Sequence, residues 1–449
     1  MNKILLAASV TFTAFCLASC SSDDDAMQQS ENQSHMVTYH LTCDIENGSD
    51  TATTRTYFSA LSSEMNEICW NENEKISVFY YGTDDNTGYV EFSIEKGAGT
   101  RSGTFTGTLP DTNTGITALS PCQTTAQWNT TTIISNITLP SAQTATAGSP
   151  DPSATIMVAK SAANGLNDTL SFYNVCSYIK ITPAFDCKSI TIRSKNDNDV
   201  ISGVYSSYDI QTNAGTPNAN KSYPYVTLYG DIKANTTYYI AINPGTFASG
   251  ISVSANTGEK MRTVGNTASL TFDRSKFYDY SATVATAPST DLFVDLGLTS
   301  GTLWARCNVG AVTPQDRGIL SQWDTSLPNT IWQNGSTLPT EAQVEELLAQ
   351  TTATYTENYK NSGINGWTFT SKTNSNSIFM PLCGYRTDES SGLTSNNSTA
   401  DYWTSAEGST SGNAICFTLN QGTESTGPRS QKTTTFCLAM RPVKTKVAQ

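Results

Sequence analysis

The chain has 449 residues and carries 26 Lys and Arg against 39 Asp and Glu, a net charge of -13. So acidic a surface is repelled by phosphate backbones, which argues against nucleic acid as a partner. Charged residues make up only 14%, below the roughly 25% of an average soluble protein, and a polar, uncharged, β-favouring mixture of Thr, Ser, Asn and Gly takes their place.

The chain begins with Lys3 and an uncharged apolar run, 4–17, ending in Leu17-Ala18-Ser19-Cys20. A basic start, a short apolar core and small residues before a cut predict a secretory signal over 1–19. The cut falls before a cysteine, a pattern that resembles a bacterial lipobox. The resemblance implies that Cys20 is acylated and becomes the mature N-terminus, anchored to the outer membrane at about 0.8 kcal/mol per buried CH₂. Residues 20–35 are nearly devoid of apolar side chains and predict a flexible leader. Its Ser-Ser-Asp-Asp-Asp start resembles the acidic export tag of surface lipoproteins of the Bacteroides group. After the signal no apolar run approaches the roughly 18 residues needed to cross a bilayer.

From residue 36 the pattern becomes that of short strands. Residues 75–81 (Lys-Ile-Ser-Val-Phe-Tyr-Tyr) and 89–95 (Tyr-Val-Glu-Phe-Ser-Ile-Glu) alternate apolar with polar, so each has one buried face. Between them 83–88 is a turn by composition. Strands are further predicted at 103–107, with Phe105 inward, and at 133–139, 175–182 and 189–193. They continue at 225–229, 237–242, 251–255 and 269–272. Neither 36–185 nor 186–286 offers a long amphipathic helix, and regular short strands with turn signals predict β-sandwiches.

Trp70-(x)3-Glu74-Lys75-Ile76-Ser77-Val78-Phe79 resembles the W-x-x-x-D-x-I-x-V-F opening of the fimbrillin family of Bacteroidota, with Glu74 in place of Asp. Phe105-Thr106-Gly107, Leu139-Pro140-Ser141-Ala142-Gln143 and Tyr238-Tyr239-Ile240-Ala241-Ile242-Asn243-Pro244-Gly245 are similar to later pieces of that family. The resemblance covers 36–286. It implies two tandem transthyretin-like β-sandwiches, 36–185 and 186–286, in a subunit of type V pili. It further implies that a protease cuts the lipidated precursor after a basic residue, freeing a groove for a neighbour's strand. Arg55 is the sole Lys or Arg between Cys20 and Lys75, which makes it the candidate processing site. Asp50-Thr51-Ala52 and Asp168-Thr169-Leu170 resemble the O-glycosylation triplets of these bacteria.

Residues 285–290 form a small-residue stretch that predicts a linker. Beyond it lie five of the seven tryptophans: Trp304, Trp323, Trp332, Trp367 and Trp403. Thr340 with Gln343 is a capping box, and Val344, Leu347 and Leu348 follow at helical spacing, so a helix is predicted from 341. Strands are predicted at 377–382, 414–419 and 436–443. The run Phe293-Val294-Asp295-Leu296-Gly297-Leu298 through Leu303-Trp304-Ala305 resembles the opening of a domain repeated in Fibrobacter and Bacteroides surface proteins. Asn308-Val309-Gly310-Ala311, Phe379-Met380-Pro381-Leu382, Tyr402-Trp403-Thr404-Ser405 and Arg441-Pro442-Val443 are similar to its later pieces. The resemblance implies an α+β, C-type-lectin-like domain over 291–446. The calcium motifs of classical lectins are missing, and Gln322-Trp323-Asp324 replaces the usual Trp-Gly-Glu. Trp323 and Trp332, in loop-like polar sequence, are the candidate ligand contacts; packing in the core is their alternative.

Eleven cysteines occur. With Cys16 in the signal and Cys20 acylated, nine remain, an odd number that cannot fully pair. Cys176 with Cys187, and Cys416 with Cys437, lie on neighbouring candidate strands; bridges and buried free thiols are both open to them. The two histidines are His35 and His40, so the rest of the chain holds no imidazole base or His metal ligand. Phosphate-loop, H-E-x-x-H and EF-hand motifs are absent. The expectation is therefore a non-enzyme without cofactor or metal. It is a lipidated, surface-exported fimbrial subunit, minor or at the tip, whose partners are other fimbrial subunits and a glycan or host protein. The alternative is a surface lipoprotein that binds glycan or host protein and never polymerises.

Overall fold

A computed structural model describes residues 36–45, 57–58, 68–82, 87–110, 113–130, 132–160, 169–332, 334–389, 391–422 and 430–446. Cys20, Arg55, the signal, the leader and the triplet 50–52 lie outside these residues, as does Asp168. The described chain is mainly β, and none of its helices is long and apolar enough to cross a membrane.

Seven strands of the first unit close on themselves. Around the ring run Met36–Ile45, Leu170–Asn174, Met157–Lys160, Asn113–Ser120, Lys75–Gly82, Thr87–Lys96 and Ser102–Pro110. The predicted alternation at 75–81 and 89–95 supplies the reason. Ile76, Val78 and Phe92 point inward with Leu41, Cys43, Phe105, Ile116 and Phe172 around Trp70. Trp70 meets Phe105 and Phe172 edge-on at 4.9 and 5.1 Å, the arrangement that aromatic quadrupoles favour. Phe79, Leu119 and Val158 leave the barrel on its outer side. They share a second apolar cluster with Ile137, Tyr178, Tyr205 and Tyr208, which seats the barrel on the next unit.

That next unit is a sandwich. One sheet runs in the order Ala142–Thr144, Tyr225–Ile232, Cys187–Ser194, Ile251–Asn256, Lys260–Gly265 and Ser289–Asp291; the other runs Tyr238–Ile242, Ser177–Ile181 and Phe277–Asp279. Their facing side chains, among them Ile179, Ile240, Ile190, Val226 and Val253, form one core. The hydrogen bonding departs from the sequence division in two places. Ser177–Ile181 and Ala142–Thr144, assigned by sequence to 36–185, pair with strands of the second unit. The stretch expected as a linker is a short helix, Ser281–Thr286, followed by Ser289–Asp291, which pairs antiparallel with Lys260–Gly265.

The third unit is α+β. Phe293–Asp295, Thr302–Ala305 and Val443–Thr445 form one sheet, so its two ends meet. A five-stranded sheet built around Thr399–Glu407 and Asn413–Asn420, and the meander Thr351–Thr356, Gly366–Ser371, Ser377–Pro381, complete it. The predicted helix spans Glu341–Gln350, with the Thr340–Gln343 capping box formed in both directions. Two predicted strands are broken. Asn136, at φ 59°, divides 133–139, and in 436–443 Arg441 turns into the core beside Pro442, which has no N–H to give a ladder. All nine described cysteines are free thiols.

Candidate assembly site

The strand Met36–Ile45 seals the barrel. It pairs antiparallel with Ser102–Pro110 over nine residues and parallel with Leu170–Asn174 over three. Its seating is uneven: Leu41, Cys43 and Ile45 are buried, whereas Met36 is 51% exposed. Burial of Leu41 and Ile45 contributes about 1.5–3 kcal/mol each, so half of the strand holds the whole.

Specific polar contacts reinforce that half. The Trp70 indole N–H donates to the Cys43 carbonyl at 2.9 Å. Arg101 Nη2 donates to the Ile45 carbonyl at 2.5 Å, and the Ile45 N–H donates to the Arg101 carbonyl at 3.1 Å. Two glycines make room for the rings behind the strand. A Cβ on Gly103 would stand 2.8 Å from Trp70 Cδ1, and one on Gly107 would stand 2.4 Å from Phe92 Cδ2. The Trp and Phe-Thr-Gly motifs thus converge on one slot. Glu74, in the same motif, is buried beside Ser120, whose hydroxyl donates to it at 3.2 Å. Burial pushes its carboxyl up to about 7.

Released from its place, Met36–Ile45 would leave a slot between Ser102–Pro110 and Leu170–Asn174, floored by Trp70, Phe105 and Phe172. An incoming strand could restore main-chain hydrogen bonds on both sides and fill the apolar pockets with alternate side chains.

At the far end of the second unit the corresponding resource is committed. Ser289–Asp291 occupies the edge of the sheet as its sixth strand, with Met261 opposite Thr290. The Leu292 N–H donates to the Glu259 carbonyl at 2.9 Å, and Lys260 pairs with Asp291. The junction continues into a shared core in which Met261 packs with Leu292, Phe293 and Trp332. Arg193 of the second unit is buried between Asp197 and Asp316, a charge bridge into the third unit.

The two candidate ligand contacts sit differently in the fold. Trp332 is corrected: it is 2% exposed and packs edge-on to Phe293 at 6.0 Å, so it fills the junction core. Its position in the short helix Leu327–Trp332 turns it inward. Trp323 is half-buried and its N–H donates to the Thr404 carbonyl at 2.8 Å. Arg101 was not singled out by sequence, because a cation after a turn carries no local signal for a distant carbonyl.

No family profile matches the chain, and no curated protein matches it. Among solved structures it is similar to a candidate cell adhesion protein from Bacteroides ovatus, at 11% identity and TM-score 0.34, over 57% of this chain and 96% of that one. It is also similar to a fimbrial protein from Bacteroides ovatus, at 11% identity and TM-score 0.27, over 91% and 99%. A third is a candidate cell adhesion protein from Parabacteroides distasonis, at 12% identity and TM-score 0.28, over 52% and 78%.

Proposed function

We propose that this chain is a lipidated, surface-exported subunit of a type V pilus that occupies an end of the fibre and presents its third unit for adhesion. The observation that supports the end position most is the commitment of Ser289–Asp291 to the chain's own sheet. A stalk subunit must accept a strand and also offer one. Here the segment following the second unit is held by its own ladder and continues directly into a packed third unit. Acceptance of a strand stays open, because Met36–Ile45 lies N-terminal to Arg55 and a cut there would detach it from the barrel. Acylation of Cys20 would hold the precursor at the outer membrane until that cut. The C-type-lectin-like reading of 291–446 rests on the motifs and is consistent with its α+β make-up. Immunogold labelling of 291–446 on purified pili tests the position. Label confined to fibre ends is expected; label spread along the shafts, or missing from pili, removes the proposal.

The alternative, a monomeric surface lipoprotein that binds glycan or host protein, draws support from the closed barrel, which with Met36–Ile45 in place offers no open ladder in that ring.

A further inference from the structure

A cavity of about 550 Å³ opens in the second unit between the strand Ser202–Asp209, the hairpin tip before Ala214–Tyr223, the turn after Tyr238–Ile242, and Arg274. Its size lies within the range of small-ligand sites. The lining brings together a guanidinium, a phenol and an amide. Asn243 is 4% exposed, and its Oδ1 accepts the Tyr205 hydroxyl at 2.7 Å. With Oδ1 taken by that phenol, the amide N–H₂ is the donor Asn243 has left to offer. The Tyr208 hydroxyl has no partner among the described residues, on a side chain 2% exposed. Arg274 is held through Nη1, which donates to the Asn174 carbonyl at 2.6 Å. It makes no ion pair among the described residues, although the chain as a whole is acidic.

The one carboxylate in the wall is already engaged. Asp199 accepts from Ser194 Oγ at 2.6 Å and from Asn196 Nδ2 at 2.9 Å. The acceptor left over is Asn213 Oδ1, also without a partner among the described residues. Tyr205 and Tyr208 stand edge-on to each other at 5.6 Å and both line the cavity. A guanidinium, a phenol and an amide N–H₂ together call for an anion with several oxygens, and Arg matches a planar carboxylate through paired N–H groups. An unpartnered amide oxygen and two tyrosines beside the cation suit hydroxyls on a saturated ring.

We propose that this cavity binds an acidic monosaccharide, a pyranose bearing a carboxylate, with Arg274 receiving the carboxylate and Asn243 and Tyr208 completing its hydrogen bonds. The site deepens the adhesion reading by naming a ligand class, and it lies outside the third unit to which the sequence motifs direct attention.

The test titrates the full mature chain with glucuronate and galacturonate, with galactose and acetate as comparisons, by calorimetry and saturation-transfer NMR. A uronate is expected to bind roughly tenfold or more tightly than galactose or acetate, and Arg274→Met to weaken it by a similar factor. Tyr208→Phe, which keeps the ring, is expected to weaken it less; thermal melts confirm that both variants fold. Uronates binding no better than galactose, acetate binding equally well, or a folded Arg274→Met with unchanged affinity would overturn the proposal. So would a peptide carboxyl terminus binding in place of the sugar. Incorporation of Arg274→Met into pili is scored separately: normal incorporation with lost binding supports this site. Normal incorporation of a wild-type chain that binds no uronate overturns the site and leaves the assembly reading standing.

Discussion

The Trp70 indole N–H reaches the main-chain carbonyl of Cys43 at 2.9 Å, tying the barrel's central ring to the strand that closes it. One side chain therefore serves both the apolar core and the seal. Trp70→Phe keeps a ring and removes the donor. It is expected to lower stability by about 1–2 kcal/mol, from the lost bond and the buried carbonyl left behind. Amide exchange across Met36–Ile45 should quicken more than across Lys75–Gly82, which hydrogen-exchange mass spectrometry would read directly. Equal quickening everywhere would mean that the bond has no special hold on the first strand.

Gly103 tests the same packing from the other side. Its Cβ position overlaps Trp70 Cδ1 at 2.8 Å, so Gly103→Ala must displace the indole. Overpacking of this kind costs about 1–3 kcal/mol. Urea titration followed by tryptophan fluorescence should give a lower midpoint and an altered native spectrum.

Glu74 gives the barrel a pH dependence of definite sign. Burial raises its carboxyl from 4.5 to about 7 in the folded protein. Between those values the native state binds more protons than the unfolded state, so stability falls as pH rises from about 4.5 and levels off above about 7. The span corresponds to roughly 3 kcal/mol. Denaturant titrations at pH 5 and pH 8 should show this fall, and Glu74→Gln should flatten it. A wild-type profile as flat as the variant's would contradict the assignment.

Arg441 is fully buried. It donates to Asn308 Oδ1 at 2.8 Å and to the carbonyls of Ala305, Arg306 and Phe379 at 3.1, 2.7 and 2.9 Å. Arg441→Ala strands all four acceptors and is expected to cost about 3–5 kcal/mol. Differential scanning calorimetry should show the transition of the third unit lowered or lost.

Trp332 should behave as a core residue. Trp332→Ala is expected to cost about 3–5 kcal/mol and to loosen the second unit from the third, seen as quicker exchange at Lys260–Gly265 and Phe293–Asp295. Loss of ligand binding with unchanged stability would instead restore it as a contact.

Features with a strong local cause were legible before the structure. Ile76 and Val78 alternate with polar neighbours and enter the barrel; Thr340 and Gln343, three residues apart before an apolar stripe, cap the helix Glu341–Gln350. The Trp70 and Gly107 motifs were legible as a family resemblance, although their packing depends on strands far away in sequence. What escaped was decided by tertiary pairing. Ala214–Tyr223 is a ten-residue strand of largely exposed polar residues, including Pro217, with no alternation to reveal it. Ser289–Asp291 has linker composition and becomes a strand because Lys260–Gly265 offers an edge. Ser177–Ile181 would suit either unit, and only its partners Tyr238–Ile242 and Phe277–Asp279 assign it to the second. The donors Tyr208, Asn243 and Arg274 come from three separate segments, so no spacing could have joined them.

If the proposed assembly holds, Met36–Ile45 is a temporary occupant of the barrel, removed when the chain enters a fibre. N-terminal mass spectrometry of this chain from purified pili tests it most directly. A mature start at Thr56 is expected in the assembled form, and an acylated Cys20 start in the membrane-bound precursor. Chains in pili that still begin at Cys20, with Met36–Ile45 intact, would contradict it.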